Sequence, residues 1–280
     1  MSDNVPVSQA SSPQPAPLGS EMESRPVPTS LSILVPVYNE QTLVQTSLRR
    51  LGVLGESPLL SRVQVIVVDD CSTDGTPAAL AEFQGSLTPA FGRGKFAWKF
   101  LRHERNAGKG AGIRTALEHA DCELSVIHDA DLEYHPRDLL QMVPLFLEED
   151  ADAVFGSRFL PGRYKRALFF RHSMGNHLLT FLCDLACDLN LTDMETCYKM
   201  VRTELLQSLP LVSGDFRIEP ELTIKLAKRE ARIFEVPISY SGRTYAEGKK
   251  INWRDGYRAL LAIVRFALSD NIQKRDLPSQ

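Results

Sequence analysis

Two carboxylates separated by one residue, Asp129 and Asp131, follow the apolar run 124–128 and form the most chemically specific pattern in the sequence. At the end of a buried strand, both side chains can reach one hard divalent cation, and Mg²⁺ and Mn²⁺ prefer such oxygen ligands. Glu133 continues the alternation and is a third candidate ligand. An Asp-x-Asp pair also fits an ordinary turn with solvated acids. Because two other strand ends are acidic too, the sequence favours a metal site.

Polar residues also follow the first two predicted strands. The sequence reads PVYNE at 36–40 and DDCSTDG at 69–75. The carboxyl ends of parallel strands meet at one edge of a sheet, where ligands bind in such folds, so we expect these residues to lie near the acidic pair. Asp70 is a candidate ligand contact. Tyr38 also fits plain packing, and Glu40 also fits a first-turn acid favoured by the helix dipole.

A glycine-rich segment, NAGKGAG at 106–112, follows the third apolar run. Its glycines allow a close approach to the backbone, and Lys109 can meet a phosphate group. The segment matches neither the P-loop pattern nor the dinucleotide-binding pattern. Taken alone, it fits a glycine-rich entry to a helix equally well.

The elements that must position these residues alternate between short apolar strands and helical patterns. This alternation, with strands that are apolar throughout, predicts an α/β fold with a mostly parallel sheet covered by helices on both faces. The predicted strands are 31–37, 63–68, 96–101, 124–128 and 153–156, and the predicted helices are 41–54, 110–119, 136–147 and one that begins near 74.

Composition narrows the class of protein. The 280 residues carry a formal net charge of −3 and are 43% hydrophobic and 24% charged, which is typical of soluble globular proteins. A slightly acidic chain argues against a nucleic-acid partner. Five cysteines without regular spacing form no disulfide framework and predict a reducing, cytoplasmic compartment. No uninterrupted apolar stretch is long enough to span a membrane.

The two ends of the chain differ in composition from the middle. Residues 1–30 contain six of the 17 prolines and many serines, and are predicted to be a disordered tail. We expect a single folded domain over 31–270 and a polar C-terminal tail over 271–280.

Taken together, the motifs resemble those of the family 2 glycosyltransferases, which have the Rossmann-like GT-A fold. Those motifs are VPVYNE, VVDDCSTDGT, NAGKGAGIRTAL and DADLEYHP, in that order. In the second half, GSRF, LTDMETCYKM, IEPELTIKLAKR and EVPISYSGRTYAEGKKI resemble the polyprenol-phosphate sugar transferases, the group of dolichol-phosphate mannose synthase. The resemblance implies a nucleotide-sugar half over 31–157 and an acceptor half over 158–270.

The resemblance also implies roles for individual residues. Those expected at the nucleotide-sugar donor are Pro36, Tyr38, Glu40, Asp70, Lys109, Asp129, Arg243 and Lys249. Those expected at the acceptor phosphate are Arg158, Arg171 and Lys250, with Asp131 and Arg158 as the catalytic residues. Asp129, Asp131 and Glu133 are the implied ligands of a divalent cation, Mg²⁺ or Mn²⁺. The segment 241–250 is expected to close over the donor.

The implied activity is that of an inverting glycosyltransferase. It would move mannose or glucose from a nucleotide sugar, of the GDP-mannose or UDP-glucose type, to polyprenyl or dolichyl phosphate for glycan or cell-wall synthesis. The apolar segment 168–182, flanked by arginines, fits peripheral contact with the cytoplasmic membrane face, although it also fits an ordinary core helix. The sugar, the base, the lipid length and the oligomeric state stay open.

Two alternatives are also open. One is a soluble family 2 enzyme that acts on a saccharide or another hydroxyl acceptor for cell-surface polysaccharide synthesis, which requires a general base. The other is a catalytically silent binding subunit, against which the intact Asp129, Asp131 and Lys109 argue. One departure from the resembled group lies before Pro220, where GDFRIE replaces an aromatic-rich FGFE.

Overall fold

The computed structural model describes residues 27–167, 170–244 and 253–269. Its strands are β1 (Thr29–Val37), β2 (Leu60–Asp69), β3 (Phe96–Arg102), β4 (Leu124–Ile127), β5 (Ala153–Ser157), β6 (Lys199–Arg202) and β7 (Ile233–Pro237). Its α-helices are α1 (Val44–Arg50), α2 (Thr76–Ser86), α3 (Lys109–Leu117), α4 (Val143–Glu148), α5 (Phe170–Cys187), α6 (Thr203–Ser208), α7 (Ile218–Lys228) and α8 (Trp253–Ser269). Short 3-10 helices cover 51–56, 91–94 and 136–141.

The strands of this described part form one sheet in the order β3-β2-β1-β4-β6-β5-β7. All neighbouring pairs are parallel except the two that involve β6, which runs antiparallel to β4 and β5. The predicted mostly parallel sheet is therefore confirmed. In the central strands the apolar side chains are buried on both faces, as in Val63 and Val65–Val68, which explains why these strands read as continuous apolar runs.

The register of the sheet brings the strand ends together. Val37 at the end of β1 lies opposite Asp69 at the end of β2, and Leu34 lies opposite Ile127 at the end of β4. The segments that leave these strands therefore start at one edge of the sheet. This is the edge at which ligands bind in open α/β folds.

The second half of the chain completes the sheet that the first half begins. β6 lies between β4 and β5, and β7 forms the edge beside β5. The strand β6 was not predicted, because its four residues, KMVR, begin and end with a charge. The run 233–240 has a strand-like sequence pattern, and its part Ile233–Pro237 forms β7. Both halves thus share one main hydrophobic core.

A smaller core joins three helices of the second half. Cys183 of α5, Ile224 of α7 and Phe266 of α8 pack together and are at most 1% exposed. Within the described ranges, no helix combines the length and the apolar character that crossing a bilayer requires.

The domain begins slightly earlier than the predicted boundary at residue 31. Thr29 is 3% exposed, opens β1, and donates its hydroxyl hydrogen bond to Glu123. Burial of this residue places it inside the folded domain. Of the predicted tails, 1–26 and 271–280 lie outside the described residues.

Candidate active site

A cavity of about 450 Å³ opens where β1, β2, β4 and β5 end. Residues from α7 and from the segment after β7 form its other walls. Ten of the residues predicted for the site line this cavity: Pro36, Tyr38, Glu40, Asp70, Lys109, Asp129, Asp131, Glu133, Arg158 and Arg243. The sequence thus identified residues that lie far apart in the chain and share one site.

Three predicted site residues are not part of the described cavity wall. Arg171 is exposed on α5, although the next residue, His172, lines the cavity. Lys249 and Lys250 lie outside the described residues. The roles expected of these three cations stay predictions.

Arg243 lies among the carboxylates of the cavity. Its Nη1 is 3.3 Å from Oε2 of Glu40, and its Nη2 is 3.2 Å from Oδ2 of Asp131. Its backbone N–H donates a 2.9 Å hydrogen bond to Oε1 of Glu133. Burial alone would lower the pKa of Arg243, but the three carboxylates outweigh burial and raise it. Arg243, which belongs to the segment expected to close over the donor, thus lines the cavity and pairs with its carboxylates.

Asp131 has a strongly shifted pKa. Burial, together with the charges of Asp129 and Glu133, raises its pKa to about 7, and Arg243 only partly opposes that shift. Glu133 is held in place because its Oε2 accepts a 2.6 Å hydrogen bond from the hydroxyl of Tyr240. Crowded carboxylates of this kind are stabilised by added positive charge.

Lys109 forms ion pairs with Asp129, one of the acidic pair, and with Glu219 in the second half of the chain. Its Nζ lies 2.8 Å from Oδ2 of Asp129 and 3.0 Å from Oε1 of Glu219. The other oxygen of Glu219 is 2.6 Å from Nζ of Lys199, which is fully buried. Burial lowers the pKa of Lys109, yet its anionic neighbours, Asp129 first among them, hold it well above the usual value. The lysine therefore carries a fixed positive charge at the floor of the cavity.

The donor set fits a hard divalent cation. Asp129, Asp131 and Glu133 offer carboxylate oxygens, and the charges of Asp129 and Glu133 add to burial in raising the pKa of Asp131, which a bound cation would lower. Across the part of the chain that the structure covers, no group of three or more His, Cys, Asp or Glu side chains is arranged to hold a metal ion. Lys109 and Arg243 instead pair with the acids. A cation would have to displace at least the Arg243 contact.

Asp70 positions the glycine-rich loop. Its Oδ1 accepts a 2.8 Å hydrogen bond from the N–H of Ala107, and its Oδ2 accepts a 2.7 Å bond from the N–H of Gly108. Gly108 has a φ of +90°, and a Cβ at this position would lie 2.4 Å from the carbonyl oxygen of Gly214. Glycine is therefore required there. The contact predicted between Asp70 and the base stays a prediction, and the observed contacts hold the loop.

Arg158 follows β5 and is held by Asp193. Its Nε and Nη2 donate hydrogen bonds of 2.7 Å to Oδ2 and Oδ1 of that carboxylate, and its backbone N–H donates a third of 2.9 Å. Both side chains are buried. Such a two-pronged pair fixes the arginine at the cavity wall, where its guanidinium also lies 5.3 Å from the centre of the Tyr240 ring. The acceptor-phosphate role of Arg158 stays a prediction.

Sequence reasoning missed part of the site in the second half. Asp193, Glu195 and Lys199 come from the motif LTDMETCYKM, and Tyr240 follows β7. The available signal was the cluster of charged residues inside a segment whose other members are apolar or small. Buried charges in such a segment indicate ion pairing or ligand contact.

The fold is that of the GT-A glycosyltransferases. The structure of glucosyl-3-phosphoglycerate synthase from Mycobacterium tuberculosis, in complex with Mn²⁺, UDP and glucosyl-3-phosphoglycerate, superposes with a TM-score of 0.63. The match covers 87% of this chain and 82% of that one, at 18% sequence identity. Another structure of that enzyme is in complex with Mg²⁺ and UDP. At this identity, the likeness establishes the architecture.

Residues 32–209 match the profile described as Glycosyl transferase family 2, and the chain belongs to this family. It is 28% identical over 245 residues to undecaprenyl-phosphate mannosyltransferase from Micrococcus luteus, which covers 84% of this chain and 93% of that protein. It is 25% identical over 219 residues to dodecaprenyl-phosphate galacturonate synthase from Rhizobium johnstonii, and this match covers 78% of this chain and 61% of that protein. The protein is therefore a glycosyltransferase, and it resembles the polyprenol-phosphate sugar transferases.

Proposed function

We propose that this enzyme transfers a hexose, mannose or glucose, from a nucleotide sugar to a polyprenyl phosphate, with inversion at the anomeric carbon and with a bound divalent cation. The reaction takes place at the cytoplasmic face of a membrane, to which the protein binds peripherally. Two named relatives that align over most of this chain, one from Micrococcus luteus and one from Rhizobium johnstonii, support the lipid-phosphate acceptor. Five free cysteines support a reducing compartment.

The observation that carries the proposal is an exposed apolar stripe on α5, beside the cavity. Five large apolar side chains, 57% to 78% exposed, recur every three or four residues and so lie on one face of the helix: Phe170, Met174, Leu178, Phe181 and Leu185. The stripe begins two residues before His172, which lines the cavity. An apolar surface that starts at the entrance of a phosphate-binding cavity suits an acceptor with a long hydrocarbon chain.

A neighbouring helix extends the apolar surface. α8 packs against α5 and exposes Tyr257, Leu261, Val264 and Leu268, again at helical spacing. Basic side chains lie before α5, including Arg163 and Lys165. Apolar side chains bordered by cations are typical of helices that lie on an anionic membrane surface.

The chemistry of the acceptor fits the groups in the cavity. A phosphate monoester has a second pKa of about 6, so its oxygen is ionised near neutral pH and needs no general base. That oxygen attacks the anomeric carbon as the bond to the nucleoside diphosphate breaks, and the electron pair leaves with the diphosphate. Lys109 and Arg243 supply positive charge beside the acidic strand ends. They reduce the repulsion between the two anionic reactants.

The divalent cation would be held by Asp129 and Asp131, with Glu133 as a further ligand. When bound, it supplies charge that stabilises the departing diphosphate. Arg243 pairs with Asp131 and Glu133, and it is positioned to move from these carboxylates to the phosphates of the donor. In that position it would also help to exclude water from the activated sugar.

A transfer assay tests the proposal. Radiolabelled GDP-mannose and UDP-glucose are each incubated with the enzyme, Mg²⁺ or Mn²⁺, and vesicles that contain undecaprenyl or dolichyl phosphate. Label in the lipid phase that requires the enzyme and the lipid phosphate is the expected result. Label that appears only on water-soluble saccharides would favour the family 2 alternative with a hydroxyl acceptor. The Asp131→Asn variant is the matched inactive control.

A further inference from the structure

Glu195 has an unusual position in the wall of the cavity. It lines the same cavity as the acidic pair, yet its Oε1 is buried and has no hydrogen-bond partner. A buried carboxylate oxygen without a donor is costly, and it requires a ligand, a water molecule or a proton. The neighbouring acids, in contrast, are engaged: Asp193 holds Arg158, and Glu219 holds Lys199.

The loop on both sides of Glu195 is fixed by hydrogen bonds. The N–H of Met194 donates to Oγ1 of Thr180 at 3.1 Å, and the carbonyl oxygens of Met194 and Thr196 accept from Nζ of Lys199 at 2.7 and 2.8 Å. The N–H of Cys197 donates to the hydroxyl of Tyr134 at 3.3 Å. The Glu195 carboxylate is thus presented to the cavity by a rigid backbone, which is how a preorganised binding group is built.

The charges around Glu195 restrict what it can bind. Burial raises its pKa to about 7, and the nearby carboxylates of Glu219 and Asp193 add to this shift, while Lys199 and Arg158 oppose it. A phosphate group would be repelled by this carboxylate and has Lys109 and Arg243 available elsewhere in the cavity. Two parts of a nucleotide sugar offer hydroxyl donors next to the diphosphate, the ribose and the hexose. The charge of Arg158, the residue expected at the acceptor phosphate, acts on Glu195, and this favours the hexose, which lies between donor and acceptor.

We infer that Glu195 accepts a hydrogen bond from a hydroxyl of the transferred hexose and is a specificity-determining residue for the sugar. The inference rests on the proposed function, since it assumes that a nucleotide sugar is the donor. A hydrogen bond from a hydroxyl to a buried carboxylate discriminates strongly against a sugar that lacks the hydroxyl, because the carboxylate is then left unpaired.

The test compares binding of a nucleotide sugar with binding of its nucleoside diphosphate. Calorimetric titrations use UDP-glucose against UDP and GDP-mannose against GDP, with Mn²⁺ present and no acceptor. In Glu195→Gln we expect affinity for the transferable nucleotide sugar to fall about tenfold and affinity for its diphosphate to stay within about twofold. Glu204→Gln, on the exposed surface of α6, is the matched control and should change neither.

Deoxy donors identify the hydroxyl concerned. The 2-, 3-, 4- and 6-deoxy analogues of the bound nucleotide sugar are titrated into both proteins. For one of them, wild type and Glu195→Gln should bind with equal affinity, because the interaction is already absent. Equal sensitivity of all donors to the substitution would overturn the inference.

Three further outcomes would also overturn it. Equal losses for the nucleotide sugar and the diphosphate would mean that Glu195 only shapes the cavity. No loss for either ligand would mean that no sugar hydroxyl reaches it. A loss of turnover with donor affinity intact would instead identify a base for a hydroxyl acceptor.

If the wild-type protein binds no nucleotide sugar, both the proposed function and the inference fail. If wild type transfers sugar to lipid phosphate and Glu195→Gln binds donors normally, only the inference fails.

Discussion

The Nη2 of Arg243 lies 3.2 Å from Oδ2 of Asp131, although the two residues are 112 positions apart in the chain. This contact places a cation from the second half of the chain on the carboxylate that is predicted to be a metal ligand. It implies competition, because the guanidinium and a divalent cation would neutralise the same oxygen atoms. Arg243 therefore belongs to the carboxylate cluster of the cavity.

Removal of Arg243 tests this competition. In Arg243→Gln we expect affinity for Mn²⁺ without donor to rise about tenfold, equivalent to about 1.4 kcal/mol, because a competing charge is lost. Transfer should fall, since the donor phosphates lose a cation. Mn²⁺ binding is measured by electron paramagnetic resonance titration. Arg62→Gln, which breaks only a surface pair with Asp121, is the control. Unchanged or weaker Mn²⁺ binding in Arg243→Gln would contradict the competition.

The buried pair of Arg158 and Asp193 predicts a large effect on stability. Asp193→Asn should lower the free energy of unfolding by about 3–5 kcal/mol, because it leaves the arginine charge buried and unpaired. Arg158→Lys should also lower the free energy of unfolding, since a lysine cannot replace the two-pronged contact. Urea denaturation measures both. A loss below about 1 kcal/mol in Asp193→Asn, the scale of an exposed pair, would show that the pair is not held as described.

The same arginine is predicted to serve the acceptor more than the donor. Asp193→Asn keeps the guanidinium of Arg158 but no longer holds it in place. The folded variant should therefore show a raised KM for the lipid phosphate, with its affinity for the donor little changed. A dominant loss of donor affinity would contradict the acceptor role.

Glu195 predicts a stability that depends on pH. Its folded pKa of about 7 stands above its usual value of 4.5, so the folded protein binds the proton more tightly than the unfolded chain does. Its contribution to stability therefore falls as the pH rises from about 4.5 through 7. Glu195→Gln removes this loss of about 3 kcal/mol, so its Tm should exceed that of wild type by roughly 6–12 °C at pH 8 and converge with it near pH 5.

Thermal unfolding of the ligand-free proteins between pH 5 and pH 8 measures this difference. The groups that act on Glu195 are Lys199, Glu219, Arg158 and Asp193, and all are retained in both proteins. A Tm difference that is independent of pH would show that Glu195 does not titrate in this range.

The apolar stripe on α5 predicts membrane binding. Replacement of Phe181 and Leu185 by serine should reduce binding to vesicles with anionic lipids about tenfold or more, because about 61–73% of each side chain is exposed and available for insertion. Flotation of the protein with vesicles measures this. Val27→Ser is the control, since Val27 is 80% exposed and lies just before β1, away from α5 in the chain. Equal flotation of all variants would contradict a membrane-facing stripe.

Much of the fold and site followed from the sequence because it depends on local patterns. Apolar strands followed by acids placed Asp70, Asp129 and Asp131 at one sheet edge, whatever the details of packing. β6 did not follow, since its four residues acquire their strand conformation only from β4 and β5 on either side. Neighbouring strands override weak local propensity in such cases.

The sequence predicted which residues line the cavity better than it predicted the contacts that those residues make. The ligand contact predicted for Asp70 stays a prediction, but the bonds by which its two oxygens hold the loop at Ala107 and Gly108 were not predicted. Glu195 gave no signal of its own, because what distinguishes it is the missing partner of a buried oxygen. Such properties depend on distances between segments that are remote in sequence, and only a three-dimensional structure supplies them.

The most direct test of the proposed acceptor chemistry compares the rate of transfer to polyprenyl phosphate with the rate of transfer to unphosphorylated polyprenol in the same vesicles. We expect labelled hexose from one nucleotide sugar to enter the lipid phase only when the phosphate is present. Asp131→Asn should lower this rate at least about 100-fold, since cation stabilisation of the leaving group is lost. Transfer to polyprenol at an equal rate, or full activity in Asp131→Asn, would contradict a cation-dependent transfer of hexose to a lipid phosphate.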